Sequence, residues 1–456
     1  MPLRKNLKFF MVNNMKILQT ISLPELTNWS VRYLLDFSFN YNEDFDLMPI
    51  GQFLTRNRNL VNIQDDETYQ RVTVRAKNKG VCLRDTEIGK KIGTKKQYTV
   101  SSGQFIISKI DARNGAMGLI PDDLDGAIVT NDFPTFIVDN NRINSQFLLL
   151  LTTAKTFINF AQSCSSGTTN RQRINIEQFL NIKIPLPSIG EQNKIIVNYN
   201  TKTQLAKKQK TKAKQLELDI NNYLFEVLGI ERLKKRQKQL LQIINYSKLD
   251  RWDNSKAFTL KSKYPVKRVS EILIDISTGT TPPTTRKEYF DNGTINFYTP
   301  ADLTDKMYLE KSERKVTQLA IDERKARKFK KNTLLFVGIG STVGKVGIIK
   351  NGFATSNQQI TGLSLDFTIV DIEFVYFYFN NFINITTKEK TQATIPIVNQ
   401  NKILNIPIPI PPIEIQEEIA TQITDLKQQI QDLKNQAEQN QAKAIKEFEQ
   451  EIFITD

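Results

Sequence analysis

Leu180-Asn-Ile-Lys-Ile-Pro-Leu-Pro-Ser-Ile189, with Gln192 three residues on, is answered by Leu404-Asn-Ile-Pro-Ile-Pro-Ile-Pro-Pro-Ile413, with Gln416 three residues on. Each phrase is followed by a long polar run with apolar residues at helical spacing, and each is preceded by a larger, strand-rich block. A fainter echo lies upstream. Gln104-Phe-Ile-Ile-Ser and Gly115-Ala-Met-Gly-Leu-Ile stand against Thr333-Leu-Leu-Phe-Val and Gly344-Lys-Val-Gly-Ile-Ile, and Thr130-Asn131 stands against Ser356-Asn357. The order block, helix, block, helix predicts an α+β chain with a pseudo-two-fold axis inside one polypeptide. Such a chain can engage a two-fold-like ligand, duplex DNA for instance, at two places.

The first long helix is expected to begin near Glu191, where Ser188 and Glu191 have capping-box spacing. Ile195, Tyr199, Lys202, Ala206, Gln209, Ala213, Leu216, Ile220, Tyr223 and Val227 alternate four and three apart, which is a heptad seam ended by Gly229. A second seam runs through Ile419, Ile423, Leu426, Ile430, Leu433, Ala437, Asn440 and Ala444, with Ile445, Phe448 and Ile452 then shifting the stripe by one residue. Lys202, Gln209 and Asn440 interrupt the seams, so neither stands alone. Antiparallel pairing of the two helices is the economical solution; packing of each on its own block is the alternative.

In the first block Val72–Arg75, Tyr98–Val100, Phe105–Ser108 and Phe136–Val138 read as strands, and the stretch from Ser145 to Ile158 as a helix with one apolar face. In the second, Ile295–Tyr298, Leu334–Val337, Val346–Ile349 and Gly362–Leu365 read as strands. Phe374–Phe379 is expected to be helical by its parallel with Phe147–Phe157. The resulting divisions are an extension over 1–25, blocks over 26–187 and 253–411, a helix and connector over 188–252 with a further basic helix in 231–252, and a last helix over 412–456. Met11 and Met15 are further candidate starts.

The 456 residues carry 63 Lys and Arg against 48 Asp and Glu, a net charge of +15. A chain this basic suits a polyanion, most commonly nucleic acid. There is no histidine, which removes Ser-His-Asp and Cys-His nucleophilic sites and the helical His-Glu-x-x-His zinc site. Two cysteines, Cys82 and Cys164, cannot build a zinc finger, and both read as small core residues in a reducing compartment. No segment has the apolar length of a membrane span. A cytoplasmic protein without membrane partners is expected.

Gly338-Ile-Gly-Ser-Thr-Val-Gly-Lys345 has one residue too many for a phosphate loop, and Val346 replaces the Ser or Thr that would reach magnesium. It and Ile110-Asp-Ala-Arg-Asn-Gly115 are read as hairpin turns presenting Lys345 and Arg113 at their tips. Asp305 with Glu313 and Lys315 has loose nuclease spacing of the kind that arises by chance in a Lys- and Glu-rich chain. The adenine-methyltransferase Asn/Asp-Pro-Pro-Tyr/Phe stretch is missing. What remains are basic, amide- and hydroxyl-rich turns, suited to phosphates and base edges. The DNA-binding candidates are Lys77, Lys79, Arg84, Lys95, Lys96, Arg113, Asn114, Thr169 and Arg171 in the first block. In the second they are Thr280, Thr281, Thr284, Arg286, Ser341, Thr342, Lys345, Asn357 and Gln358. No catalytic, cofactor-binding or metal-binding residue is expected.

Together these features resemble the specificity subunit of type I restriction-modification enzymes, over essentially the whole chain. The carriers are the two Ile-Pro phrases with their glutamines, Ser277-Thr-Gly-Thr-Thr-Pro with Tyr289 and Tyr298-Thr-Pro-Ala-Asp302, and Gly344-Lys-Val-Gly-Ile. Gly190-Glu-Gln192 fits the family's helix opening, whereas Glu414-Ile-Gln416 departs from it at Ile415. The resemblance implies that each block is a target recognition domain reading one half of a bipartite, non-palindromic site in double-stranded DNA. The helices would hold the halves apart. It also implies no catalysis in this chain and recruitment of two methyltransferase subunits, which would bind S-adenosylmethionine. Restriction/translocase subunits using ATP and Mg would then join. The recognition portion of a solitary or fused methyltransferase or nuclease is the alternative, and a coiled-coil scaffold unrelated to DNA is a third reading that the charge and the turn chemistry oppose.

Overall fold

The computed structural model describes residues 41–42, 44–155, 157–158, 165–166, 173–230, 260–383, 387 and 396–453. The chain divides into two compact units, Met1–Lys208 with Gln436–Asp456, and Gln209–Asn435. Each unit takes one block together with part of both long helices. The expected N-terminal extension and the basic helix over 231–252 lie outside the described residues.

In the first unit, a four-stranded antiparallel sheet runs in the order Leu54–Arg56, Thr135–Val138, Phe105–Ile107, Met117–Leu119. A five-stranded mixed sheet runs Leu60–Asn62, Lys96–Thr99, Ile128–Val129, Thr68–Val74, Val81–Ile88. The helix Ser145–Thr153 is capped by Asn144, whose side chain accepts the Gln146 N–H at 2.9 Å. Its apolar face, Phe147, Leu148 and Leu151, is wholly buried in the core of the block.

In the second unit, a five-stranded sheet runs Leu273–Thr278, Ile360–Leu365, Leu334–Val337, Val346–Ile349, Tyr308–Leu309. A four-stranded sheet runs Arg314–Val316, Ile295–Tyr298, Phe353–Ser356, Phe329–Lys330. The stretch Phe374–Phe379 is helical, within Ile372–Asn381. Its aromatic residues favour strands in isolation. Here Asp371 accepts the Phe374 N–H at 2.8 Å, and burial on all sides replaces the usual amphipathic pattern. Cys82 is half-buried on a strand rather than in a core, and Cys164 lies outside the described residues.

The Ile-Pro phrases close the blocks. Lys183–Pro185 pairs antiparallel with Leu47–Pro49, and Pro407–Pro409 pairs with Val266–Arg268. Two-stranded edges tolerate proline because no further ladder needs its missing N–H. Ile184, just before Pro185, and Ile408, between Pro407 and Pro409, are fully buried. Each block therefore begins and ends at the same place.

Both long helices contain 40 residues, Ile189–Leu228 and Ile413–Ile452, or ~60 Å at ~1.5 Å per residue. The capping box forms as expected: Ser188 N–H donates to Glu191 Oε2 at 2.9 Å, and Glu191 N–H donates to Ser188 Oγ at 3.3 Å. The second helix opens on Pro412 instead, whose carbonyl accepts the Gln416 N–H at 3.1 Å. Ile415, where the first helix has Glu191, packs against the apolar core of its block. No residue of the first seam is exposed. The second seam continues at spacing four through Ala444, Phe448 and Ile452, which are buried, while Ile445 is 43% exposed. The expected one-residue shift therefore occurs at Phe448 and Ile452, and only Ile445 is corrected: it falls beside the stripe, which still runs through Ala444.

The helices pair antiparallel within each unit. In the first, Lys202 Nζ lies 2.6 Å from Glu447 and Asn198 Nδ2 donates to Glu447 at 3.0 Å. In the second, Lys434 Nζ lies 2.7 Å from Glu217. The Lys202 ammonium and the Asn198 amide hold the Glu447 carboxyl below its ordinary range. A Lys inside a seam is thereby satisfied, and the pair specifies register. Phe448 inserts edge-on between Tyr199 at 6.4 Å and Phe147 at 6.5 Å. Phe448→Ala should cost ~3–5 kcal/mol, read as a lowered denaturation midpoint of the first unit. A midpoint within error of the parent would show that the helix end does not hold this core.

Candidate nucleic-acid interface

In the first block the strands Thr68–Val74 and Val81–Ile88 form a hairpin whose tip carries Lys77 and Lys79. Lys77 and Asn78 adopt left-handed φ values of 61° and 55°, and Gly80 follows at 77°. Such a turn is open to Asn and Gly and strained for Lys. It persists because it is docked. Lys77 N–H donates to Asn114 O at 2.6 Å, Asn78 N–H to Gly115 O at 3.2 Å, and Asn78 Nδ2 to Thr153 O at 2.8 Å. Gly115 is at φ 74°, and a Cβ there would overlap Asn78 Oδ1. Exposed Lys77, Lys79 and Asn114 are so brought together with the backbone of Arg113, on the short turn Ala112–Asn114.

Lys95 and Lys96 are not part of this group. Lys95 sits by Asp65, at 2.5 Å, and donates to Gly89 O at 2.7 Å. That is the opposite end of the strand Thr68–Val74 from Lys77. Arg84 lies mid-strand, its side chain 60% exposed and 3.5 Å from Asp85. Asp85 is engaged bidentately by Arg71 at 2.5 and 2.7 Å, and this guanidinium holds its carboxyl below the usual range. Thr169 and Arg171 lie outside the described residues.

A cationic cluster that the sequence reading did not single out joins Arg56, Lys109 and Arg173. Arg173 lies 3.2 Å from Asp132, and Ile174 N–H donates to Lys109 O at 2.9 Å. Burial first, then the neighbouring Arg56 and Arg173 charges, push the Lys109 ammonium below its ordinary pKa, with Asp132 partly offsetting. Lys109 and Arg173 stand by the Asp132 carboxylate and Arg56 stands by Lys109, a set of cations suited to an anionic oxygen.

In the second block, segments around Thr278, Gly338, Gln358 and Gln400 converge on an open cleft of about 440 Å³. Its lining is mainly amide and hydroxyl: Thr278, Gln358, Gln359, Thr361, Asn399 and Gln400. Gln400 Nε2 donates to Thr278 Oγ1 at 2.8 Å, and Thr278 and Thr361 hydroxyls lie 3.2 Å apart. Asn357 Nδ2 donates to Gln359 Oε1 at 2.9 Å, and Thr281 donates its hydroxyl proton to Gln358 Oε1. Gly279 is required because a Cβ would overlap Ser356 Oγ and the Asn357 carbonyl. Thr280 Oγ1 accepts the Arg327 N–H at 2.8 Å. That bond sets the turn beside six exposed cations, Arg324, Lys325, Arg327, Lys328, Lys330 and Lys331.

The glycine loop Gly338–Lys345 joins two antiparallel strands and opens no helix, so no helix N-terminus stands ready for a phosphate. Ser341 and Thr342 lie at its tip, Ser341 exposed. Lys345 does not lie there. The loop closes when Gly344 N–H donates to Val337 O and Val337 N–H to Lys345 O, both at 2.9 Å. Lys345 is then half-buried at the base, its Nζ donating to Leu303 O at 3.3 Å. Thr284 is exposed on a separate turn. Arg286 lies outside the cleft, bound to Glu288 at 2.6 Å and Glu323 at 3.4 Å, over the Tyr289 ring at 4.5 Å. These carboxylates raise its pKa and neutralise much of its charge.

The sequence reading missed Asn399, which caps the short helix Gln400–Leu404 by accepting the Lys402 N–H, and Gln400, whose partner Thr278 lies on a distant segment. The cationic run from Arg324 to Lys331 was visible in composition alone. Among the described residues no group of His, Cys, Asp and Glu could hold a metal ion, and no helix is long and apolar enough to cross a membrane.

Comparison with known proteins places these observations. The family model of the type I restriction modification DNA specificity domain matches twice, over residues 42–218 and 261–444. The chain is 30% identical over 202 residues to the Type I restriction enzyme MjaIX specificity subunit of Methanocaldococcus jannaschii. That alignment takes in 41% of this chain and 44% of the relative, so it spans under half of the curated relative's length. A solved chain described as "Structural basis underlying complex assembly and conformational transition of the type I R-M system" shares the fold. Its TM-score is 0.58 at 16% identity, over 91% of this chain and 97% of that one. The HsdS subunit from Thermoanaerobacter tengcongensis aligns with a TM-score of 0.49 at 17% identity, over 90% of this chain and 97% of its own. Two copies of one domain, laid over the two blocks and most of both helices, take in the greater part of the sequence, and the chain belongs to the type I restriction modification DNA specificity family.

Proposed function

We propose that this chain is the sequence-reading, non-catalytic subunit of a type I restriction-modification complex in the cytoplasm. The carrying observation is the repeated construction: two blocks, each closed by an Ile-Pro strand and joined to a 40-residue helix, each matched by the same family domain. The blocks read different halves of a bipartite site in double-stranded DNA. In the first, Lys77 and Lys79 meet phosphates and Asn114 faces the bases, with Arg56, Lys109 and Arg173 as a second phosphate contact. In the second, the amide cleft reads base edges, with Thr280, Thr281, Thr284, Ser341, Thr342 and Asn357 around it. The cations from Arg324 to Lys331 meet phosphates. Two methyltransferase subunits bring S-adenosylmethionine, restriction/translocase subunits bring ATP and Mg, and no cofactor binds this chain.

The test is to sequence the methylome of a methylation-free host carrying the chain and its methyltransferase. Amides pair bidentately with adenine. Gln358→Ala and Gln400→Ala should each relax one position of one half-site, at a cost of ~1–3 kcal/mol. Lys77→Ala and Lys79→Ala should instead weaken all sequences alike and lower the salt slope by about one each. A motif unchanged in every amide variant, with unchanged affinity in the lysine variants, would overturn the assignment.

A further inference from the structure

The reading turns of the two blocks share almost no side chains, yet one polar joint is the same in both. Gln192 and Gln416 are fully buried in the first turns of the two long helices. A buried primary amide is costly unless its donors and acceptor are all met. Gln192 Nε2 donates to Pro187 O at 2.8 Å and Arg142 O at 3.3 Å, and its Oε1 accepts the Asn144 N–H at 2.8 Å. Gln416 Nε2 donates to Pro411 O at 2.8 Å and Ile369 O at 3.1 Å, and its Oε1 accepts the Asp371 N–H at 2.9 Å.

The correspondence extends to what the partners do. Pro187 and Pro411 each end the Ile-Pro phrase. Asn144 and Asp371 are the N-caps of the helices Ser145–Thr153 and Ile372–Asn381, which carry the apolar cores of the blocks. One amide thus ties three elements at a single point: the closing strand, the start of the core helix and the first turn of the long helix. The surroundings recur with it. Leu47–Pro49 with Lys183–Pro185 and Val266–Arg268 with Pro407–Pro409 pair in matching antiparallel register. The strand order Leu54–Arg56, Thr135–Val138, Phe105–Ile107, Met117–Leu119 is repeated by Leu273–Thr278, Ile360–Leu365, Leu334–Val337, Val346–Ile349. The amide is thus part of a repeated joint that attaches each block to its long helix.

We propose that Gln192 and Gln416 are positioning residues for DNA recognition. Each fixes the direction of its block on its helix, and through that the separation and rotational phase at which the two half-sites are accepted, without touching DNA. The inference rests on the function proposed above. An apolar side chain of like length would fill the same space and leave the angle to the chain alone. Two backbone carbonyls and one N–H would then lose the partner that ties them together.

The experiment uses the full chain assembled with its methyltransferase and short duplexes carrying the native motif, or the same half-sites with one base pair added to or removed from the spacer. Gln192→Met and Gln416→Met are compared with the parent. The native-to-altered affinity ratio should fall roughly tenfold in each variant, equivalent to ~1.4 kcal/mol, while bases permitted within each half-site stay the same. The ratio does not depend on the fraction of complex that is folded, so a destabilised variant still gives an answer. Ratios equal to the parent's in both variants would overturn the inference. A parent complex with no bipartite preference would instead overturn the function on which it rests.

Discussion

Replacing residues 263–408 with the equivalent block of another specificity chain is expected to rewrite one half of the methylated motif and leave the other half unchanged. The exchange is geometrically local. Val266 faces Pro409 and Arg268 faces Pro407 across a two-stranded ladder, so the block enters and leaves its unit at neighbouring points. Leu47–Pro49 with Lys183–Pro185 gives the first block the same closure. The reading cleft lies wholly inside the exchanged segment, from Thr278 to Asn401. Each lost or gained bidentate base contact is worth ~1–3 kcal/mol of discrimination, so replacing several at once changes the half-site outright. One condition is set by packing. The ring of Phe382 meets Phe225 at 4.9 Å, and Lys427 Nζ stands 4.9 Å from the centre of the Phe377 ring. A donor block must offer matching aromatic faces to the helices. Methylome sequencing checks the result; a motif altered in both halves would show that the blocks do not read independently.

What could be read from the sequence was what local spacing dictates. The heptad seams and the capping box at Ser188 and Glu191 are set by residues within a few positions of one another, whereas the pairing of each Ile-Pro phrase with the first strand of its block is long-range and was not legible. The helix at Ile372–Asn381 was reached by analogy across the repeat, where propensity alone favoured a strand. The errors were of another kind. Lys345 lies next to glycine in a loop, and only the bonds to Val337 and Leu303 place it at the base. Arg286 is charged and exposed in sequence terms, yet two carboxylates and a ring occupy it. Ile445 fits an apolar stripe as well as Ala444 does until the partner helix chooses between them. The amide cleft is assembled from segments scattered between Thr278 and Asn401, and no local pattern carries that convergence. The turn at Lys77 gives no sign in its own residues that Asn114 and Gly115 will hold it. Gln192 and Gln416 stood in register from the outset, but a glutamine after a helix start reads as solvated until its three partners are seen.

Adding seven residues to each long helix, after Lys208 in one and before Gln436 in the other, is expected to lengthen the untouched spacer of the motif. The two insertions must be made together. The helices pair antiparallel, so equal insertions keep Lys202 on Glu447 in the first unit and Glu217 on Lys434 in the second. A whole heptad preserves the apolar stripe. Seven residues add ~10.5 Å at ~1.5 Å per residue, and a base pair advances ~3.4 Å, so the spacer should grow by about three base pairs with both half-sites retained. DNA turns roughly a third of a revolution over that length, given ~10 base pairs per turn, whereas a heptad returns the helix nearly to its starting face. Some affinity is therefore lost to twisting, and the extended motif should be methylated less completely than the parent's. Inserting the heptad in one helix alone puts the two seams out of step by two turns, so that the Lys202–Glu447 and Glu217–Lys434 pairs cannot both form. That variant should methylate neither motif. An active double-insertion chain that kept the original spacer would mean that the gap is set by something other than helix length, because no other change in the protein could leave both reading blocks intact and the helices longer.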